Sequence, residues 1–214
     1  MTADAVERES MDFDVVIVGA GPAGLAAAIR IKQMAAETGK EVSVVVLEKG
    51  SEVGAHILSG AVMDPRAMDE LIPDWKEKGC PFETPVKNDT FLVLGPEGSI
   101  PLPVFLMPPM LHNHGMYIGS LGNVTRWMAL QAEALGVDIY PGFAASGLTF
   151  REDGSIKGVI AGVVGIEKNG EPGPDYSPGM ELNGKYVLIG EGVRGSLAKK
   201  LIKDFKLDKD SQPQ

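Results

Sequence analysis

The chain has 214 residues, 44% apolar and 23% charged, enough to bury one sizeable core with room for a small second lobe. A net charge of −9 argues against nucleic acid as a partner and leaves no basic patch for an anionic membrane. One cysteine, Cys80, excludes a disulfide framework, suits the cytoplasm, and cannot alone supply the four thiolates usual for an iron–sulfur cluster.

Residues 1–11 read as a polar leader. Met1–Glu7 lacks the apolar core of a signal peptide and the arginines of a transit peptide. An apolar strand over Asp12–Val18 then enters the turn Val18-Gly19-Ala20-Gly21-Pro22-Ala23-Gly24, and a helix runs from Ala23 to about Ala36. A second strand, Val42–Leu47, ends at Glu48. Strand, glycine turn, helix and strand-ending acid together build a seat for a dinucleotide diphosphate. Gly19 permits the tight turn, Gly21 lets the diphosphate approach the backbone, and Gly24 lets the helix pack close to the strand. The helix N-terminus offers free N–H donors to the anion. Glu48 is placed to accept hydrogen bonds from ribose hydroxyls and to repel a 2′-phosphate, which disfavours NADP. FAD and NAD both carry the required ribose; the small Ala28 and the basic Lys49 lean toward FAD.

Further along, Pro65–Leu71 reads as a short helix stopped before Pro73. Val124, Trp127, Met128, Gln131 and Leu135 repeat at helical spacing within Asn123–Leu135, with Gly136 as its natural cap. Val137–Tyr140 reads as a strand, Leu148–Phe150 and Ile156–Val164 as a hairpin across Asp153-Gly154, and Glu171–Pro178 as a loop. A strand over Lys185–Ile189 enters Gly190-Glu191-Gly192, and Ser196–Phe205 is helical. This second strand–turn–helix element admits two readings. It is either a capped helix start after a buried strand, or an element returning to the cofactor, with Arg194 on phosphate and Glu191 capping the helix or binding a hydroxyl.

Gly98–Thr125 contains no Asp, Glu, Lys or Arg. Prolines 101, 103, 108 and 109 exclude a regular helix, a membrane-spanning helix and a central strand within Ile100–Leu111. So apolar an irregular segment is either folded onto the core or left exposed as a binding patch for a membrane face or a long apolar ligand. His112 and His114 flank Asn113, but no neighbouring Cys, Asp or Glu in the sequence completes a metal site, so they read as loop histidines that bond locally or line a pocket.

Gly54-Ala55-His56-Ile57-Leu58-Ser59-Gly60, Asp64-Pro65-Arg66, Pro73-Asp74-Trp75-Lys76-Glu77-Lys78-Gly79, His112-Asn113-His114-Gly115, Gln131–Val137 and Tyr140-Pro141-Gly142 occur in this order. Together they closely resemble the amino-terminal part of the electron transfer flavoprotein–ubiquinone oxidoreductase family, from Asp12 to the end of the chain. The resemblance implies an α/β, Rossmann-like FAD-binding fold of the glutathione-reductase/hydroxylase type with a partial β-rich second lobe. It implies one FAD-binding domain over 12–214, including an apolar membrane-facing loop at 98–125 and a β-hairpin region at 144–183. It further implies an electron-transferring-flavoprotein dehydrogenase. Such an enzyme is monotopic on the inner membrane, on the cytoplasmic face in bacteria and in mitochondria in eukaryotic relatives. Its partners are electron transfer flavoprotein and ubiquinone, and its cofactors are FAD and a 4Fe-4S cluster. By the resemblance Gly19, Gly21, Gly24 and Glu48 hold the ADP half of FAD, His56, Leu58, Ser59 and Gly60 run near the flavin ring, and Glu191, Gly192 and Arg194 belong to the returning element. Family members are more than twice this length, and their cluster cysteines lie beyond the matching region. The expectation is therefore a fragment that supplies the FAD-binding part and holds no cluster ligands. A flavin reductase of the geranylgeranyl-reductase type and a non-catalytic flavin-binding fragment are the alternatives. Gly190 departs from the family pattern, which has Ala there.

Overall fold

The structure, a computed structural model, describes residues 7–57, 60–209 and 211. In chain order its elements are β1 (Ser10–Val18), α1 (Pro22–Glu37), β2 (Val44–Glu48), β3 (Ala61–Met63), α2 (Arg66–Leu71), β4 (Thr84–Pro85), β5 (Phe91–Gly95), β6 (Gly98–Leu102), β7 (Tyr117–Gly119), α3 (Leu121–Ala134), β8 (Asp138–Pro141), β9 (Ala145–Phe150), β10 (Ile156–Ala161), β11 (Val164–Ile166), β12 (Pro172–Ser177), β13 (Met180–Ile189) and α4 (Ser196–Phe205). They fall into two compact units, one of residues 1–57 with 125–214 and one of residues 58–124.

The larger unit is built on a six-stranded sheet in the order β8-β2-β1-β13-β10-β9. β8, β2, β1 and β13 run parallel, and β10 and β9 complete the sheet antiparallel. Parallel strands are covered on both faces and so become continuous apolar runs; Val44–Leu47 of β2 are buried without a break. α1 packs over β1 and β2 through Leu25, Ala28 and Ile29. A second cluster gathers Val16, Val18, Val45, Leu47, Val159 and Leu182 with Leu197 of α4. The sheet order places the carboxyl ends of β8, β2 and β1 side by side, and the crossovers deliver the glycine turn, Glu48 and the residues after Pro141 to that edge.

Several boundaries differ from the sequence reading for identifiable reasons. β1 starts at Ser10, inside the expected leader, because Ser10 and Met11 pair with Glu181 and Leu182. Residues 1–6 of that leader lie outside the described residues. β13 starts at Met180 rather than Lys185; Glu181 and Asn183 interrupt the apolar pattern yet pair with both β1 and β10, and Gly184 continues the pairing to β1. β10 stops at Ala161, where Gly162 takes φ +73°. The expected loop at Glu171–Pro178 contains β12, which pairs only with β11, so its prolines interrupt no central ladder. The turn at Asp153-Gly154 does join a hairpin, with Gly154 at φ +81°.

The smaller unit holds a three-stranded sheet, β3-β7-β4, and the separate hairpin β5-β6. Its core is aromatic. Trp75 meets Phe82 edge-on at 5.2 Å, Phe82 stacks on Tyr117 at 5.4 Å, and the Trp75 indole donates to Asp69 Oδ1 at 2.7 Å. Part of the Pro-rich segment is strand after all: Pro101 sits in β6 opposite Leu92, in a two-stranded hairpin where a missing N–H breaks nothing else. Two single 3₁₀ turns, Val104–Leu106 and Pro109–Leu111, follow. The segment is not folded into a core: Phe105 is 80% exposed and Met110 82%.

Candidate dinucleotide-binding site

Gly19 leaves β1 at φ +104°, and a side chain there would collide with the Gly190 carbonyl. A Cβ on Gly24 would run into the Gly19 carbonyl and press on Ile17, so α1 can approach β1 only with glycine at this position. Gly21 is different: a Cβ there would have no neighbour within 4 Å, because it points into open space. Gly21 precedes α1 and has no side chain to cap it, Pro22 occupies the first turn, and that turn holds no acid. The positive end of the helix dipole therefore faces the turn, the arrangement that attracts a diphosphate.

Glu48, at the end of β2, is held by the backbone. Its Oε2 accepts the Ala20 N–H at 3.1 Å and its Oε1 accepts the Gly50 N–H at 2.7 Å. A carboxylate has about four acceptor positions, so about two remain for ligand hydroxyls. The bond to Ala20 ties the acid directly to the glycine turn.

The second glycine element packs against the first. Gly190 N–H donates to Val18 O at 2.7 Å, continuing the β1–β13 pairing into the two turns. A Cβ on Gly190 would lie 3.3 Å from Val18 O, a tight but small intrusion. Of the two roles open to Glu191, the structure supplies the cap: Oε2 accepts the Ala198 N–H of α4 at 2.9 Å. Gly195 makes room for it, since a Cβ there would lie 2.5 Å from the same oxygen.

These pieces enclose a cleft of about 660 Å³. Of the residues singled out from the sequence, Val18, Gly19, Ala20, Gly21, Pro22, Ala23, Glu48, Lys49, His56, Glu191, Gly192 and Arg194 line it, while Gly24 lies behind the turn. Leu58 and Ser59 lie outside the described residues. Gly60, at φ +81°, belongs to the smaller unit and is not among the lining residues. Sequence reasoning missed Phe143, Ala144, Ala145, Gly195 and Ser196 on the cleft wall. The available signal was the register of β8, which sets Pro141 beside Glu48.

Elsewhere, His112 Nε2 lies 3.1 Å from Val104 O, and Asp89 accepts both the backbone and side-chain N–H of Asn113 at 2.9 and 2.8 Å. Those Asn113 bonds hold the Asp89 carboxyl below its ordinary range. Among the described residues no group of three or more His, Cys, Asp or Glu is placed to hold a metal. Burial pushes the Cys80 thiol up to about 11.

The parallel sheet, the close-packed glycine turn and the strand-ending acid define a Rossmann-like α/β fold. The family described as NAD(P)-binding Rossmann-like domain accordingly matches residues 17–86. Over 211 residues, 98% of this chain and 38% of that protein, the sequence is 56% identical to the electron transfer flavoprotein-ubiquinone oxidoreductase of Pseudomonas aeruginosa. It is 52% identical to the mitochondrial protein of that name from Mus musculus over 94% of this chain and 33% of that one. The chain thus spans about a third of the length of these relatives and matches their amino-terminal part, as the sequence blocks indicated. Among solved structures, a geranylgeranyl bacteriochlorophyll reductase-like protein from Thermoplasma acidophilum superposes with a TM-score of 0.56 at 20% identity, covering 86% of this chain and 40% of that one. CtdE in complex with FAD gives a TM-score of 0.56 at 20% identity over 89% of this chain and 41% of that chain. These two likenesses show the fold.

Proposed function

We propose that this chain forms the FAD-binding part of an oxidoreductase that passes electrons from reduced electron transfer flavoprotein to ubiquinone. The observation that carries the cofactor reading is the contrast at the turn: Gly19 and Gly24 have no room for a side chain, while Gly21 opens into the cleft beside an uncapped helix start. The diphosphate lies against Gly21–Ala23, and the ribose hydroxyls take the free acceptor positions of Glu48. Lys49 and Arg194 offset charge at the cleft wall. Glu191 fixes the returning turn by capping α4. Bound FAD supplies an acceptor that takes up two electrons and can release them singly. The substrate and partner assignment rests on the identity to the relatives.

The membrane reading rests on the smaller unit. Leu94, Ile100, Phe105, Leu106 and Met110 are each more than 60% exposed, and this unit bears the long uncharged stretch. No helix among the described residues is long and apolar enough to cross a membrane. The unit therefore docks peripherally on the inner membrane, by apolar contact at roughly 25 cal/mol per Å² removed from water. Vesicle flotation tests this: Phe105→Asp with Leu106→Asp should lose binding that survives high salt in the wild type. Equal flotation of the two proteins refutes it. The cofactor reading is tested by titrating purified protein with FAD. Uptake with a flavin spectrum is expected, weakened about tenfold or more in Glu48→Gln, whose amide opposes the Ala20 or Gly50 N–H and leaves hydroxyls poorly paired. Absence of uptake overturns the reading.

A further inference from the structure

We infer that Phe143 is the platform on which the adenine base of the dinucleotide stacks, an assignment that rests on the cofactor reading above. The sheet order supplies the direction. β1, β2 and β8 are neighbours whose carboxyl ends lie in a row, about 5 Å apart per strand. The glycine turn ends β1, and the ribose carboxylate ends β2. A base joined to that ribose continues along the same edge to the end of β8. There, Glu48 stands in register with Pro141, Gly142 N–H donates to Gly50 O at 2.7 Å, and Gly142 turns at φ +80° to deliver Phe143 to the cleft.

The ring is seated yet partly open. Tyr140 supports it at 5.8 Å between centroids, in a tilted arrangement. Gly162, at φ +73°, gives it space, since a Cβ there would lie 2.9 Å from Phe143 Cδ1. Even so, Phe143 keeps 37% of its surface exposed. The next residues toward the sheet, Ala144 and Ala145, are small and also line the cleft, while the ring borders a second hollow beside Gly162 and Met180 as well. Lys49 and Arg194 are suited to phosphate; an aromatic face beside two alanines is suited to a flat neutral base.

The test is binding of ADP, UDP and FAD to the wild type, Phe143→Leu and Phe143→Tyr, with thermal unfolding followed in parallel. Leucine keeps the packing on Tyr140 and Gly162 but has no π face. The wild type should prefer ADP to UDP, because a purine offers more area for stacking. Phe143→Leu should bind ADP and FAD about tenfold more weakly and lose the preference, while Phe143→Tyr retains both. A Phe143→Leu protein with wild-type affinity and preference overturns the inference and leaves the cofactor reading standing. If the wild type takes up neither ADP nor FAD, the cofactor reading fails and takes this one with it. Should the leucine variant not fold, equal wild-type affinity for ADP and UDP is enough to overturn the platform.

Discussion

The two units of this chain use glycine, proline and apolar residues to opposite ends. In the larger unit, glycines at 19, 24 and 190 bring backbones together, and the apolar side chains of β1 and β2 disappear beneath α1 and α4. In the smaller unit, the aromatic knot of Trp75, Phe82 and Tyr117 joins buried Met68, Ile72, Cys80 and Val86 in a small core, and the Pro-rich segment is turned outward with most of its apolar side chains in solvent. The first arrangement makes a cleft whose shape depends on the absence of atoms. The second makes a surface whose character depends on their presence. Substitutions should therefore fail in different ways: where glycines 19, 24 and 190 bring backbones together, through the backbone; on the Pro-rich surface, through binding alone.

The largest effect is expected inside the glycine turn, where neighbouring positions should separate stability from binding. Gly24→Ala forces a methyl against the Gly19 carbonyl and should cost about 3 kcal/mol by urea denaturation, as overpacking against backbone does. Gly21→Ala meets nothing within 4 Å and should change stability by less than about 0.5 kcal/mol while abolishing FAD uptake. Equal destabilisation by the two variants would mean that Gly21 is as crowded as Gly24, and undiminished FAD uptake by Gly21→Ala would mean that the open space there is not a ligand's place.

That contrast also marks how far the sequence could be read. The turn, α1, β2 and Glu48 were legible because each depends on residues close in the chain: an apolar run, glycines at fixed spacing, an acid at a strand end. β13 is legible only in its last half, because Glu181 and Asn183 hold their place through β1 and β10, strands that the local pattern does not reveal. β12 and β6 were hidden by prolines that are tolerated only because each strand has a single partner. Phe143 on the cleft wall needed the β2–β8 register, a long-range fact without a local motif. For Phe105 and Met110 composition allows either a buried or an exposed place, since it does not say on which side an apolar loop lies; only the family resemblance points to the exposed side that the structure shows.

A smaller effect is expected at Glu191, where the second glycine element meets α4. Glu191→Ala removes the acceptor for Ala198 N–H and with it the only side-chain cap described for that helix start. The expected loss is about 1 kcal/mol, typical of a helix cap, read as a shift of the urea midpoint at constant slope. Glu191→Gln, which keeps an oxygen, should recover most of it. If alanine is neutral, the carboxylate is not holding the turn, and its place beside the cleft needs a different explanation.

The smallest effect lies midway along β1 and β13, beside the start of β2. Asp14 Oδ1 pairs with Lys185 Nζ at 2.6 Å, and Oδ2 accepts the Ser43 N–H at 2.8 Å and the Ser43 hydroxyl at 3.1 Å. Lys185, then Ser43, hold the Asp14 carboxyl down at about 2, against about 3.9 for an unfolded chain. A depressed carboxylate binds its proton more readily when unfolded, so its contribution is complete above about pH 4 and disappears as the pH falls toward 2. Lys185 is shifted the other way, raised by the same pair, so its share is present at neutral pH and is lost only in strong alkali. The group is solvent-accessible and the contribution modest, and salt should reduce it further. The measurement is the urea midpoint of wild type and Asp14→Asn at steps from pH 6 to pH 2. The wild type should be the more stable protein at pH 6, and the two curves should converge across the window from 4 to 2. Parallel curves would show that the three strands are held together here by backbone pairing alone, which would extend to this part of the sheet the reliance on main-chain contact seen at the glycine turns.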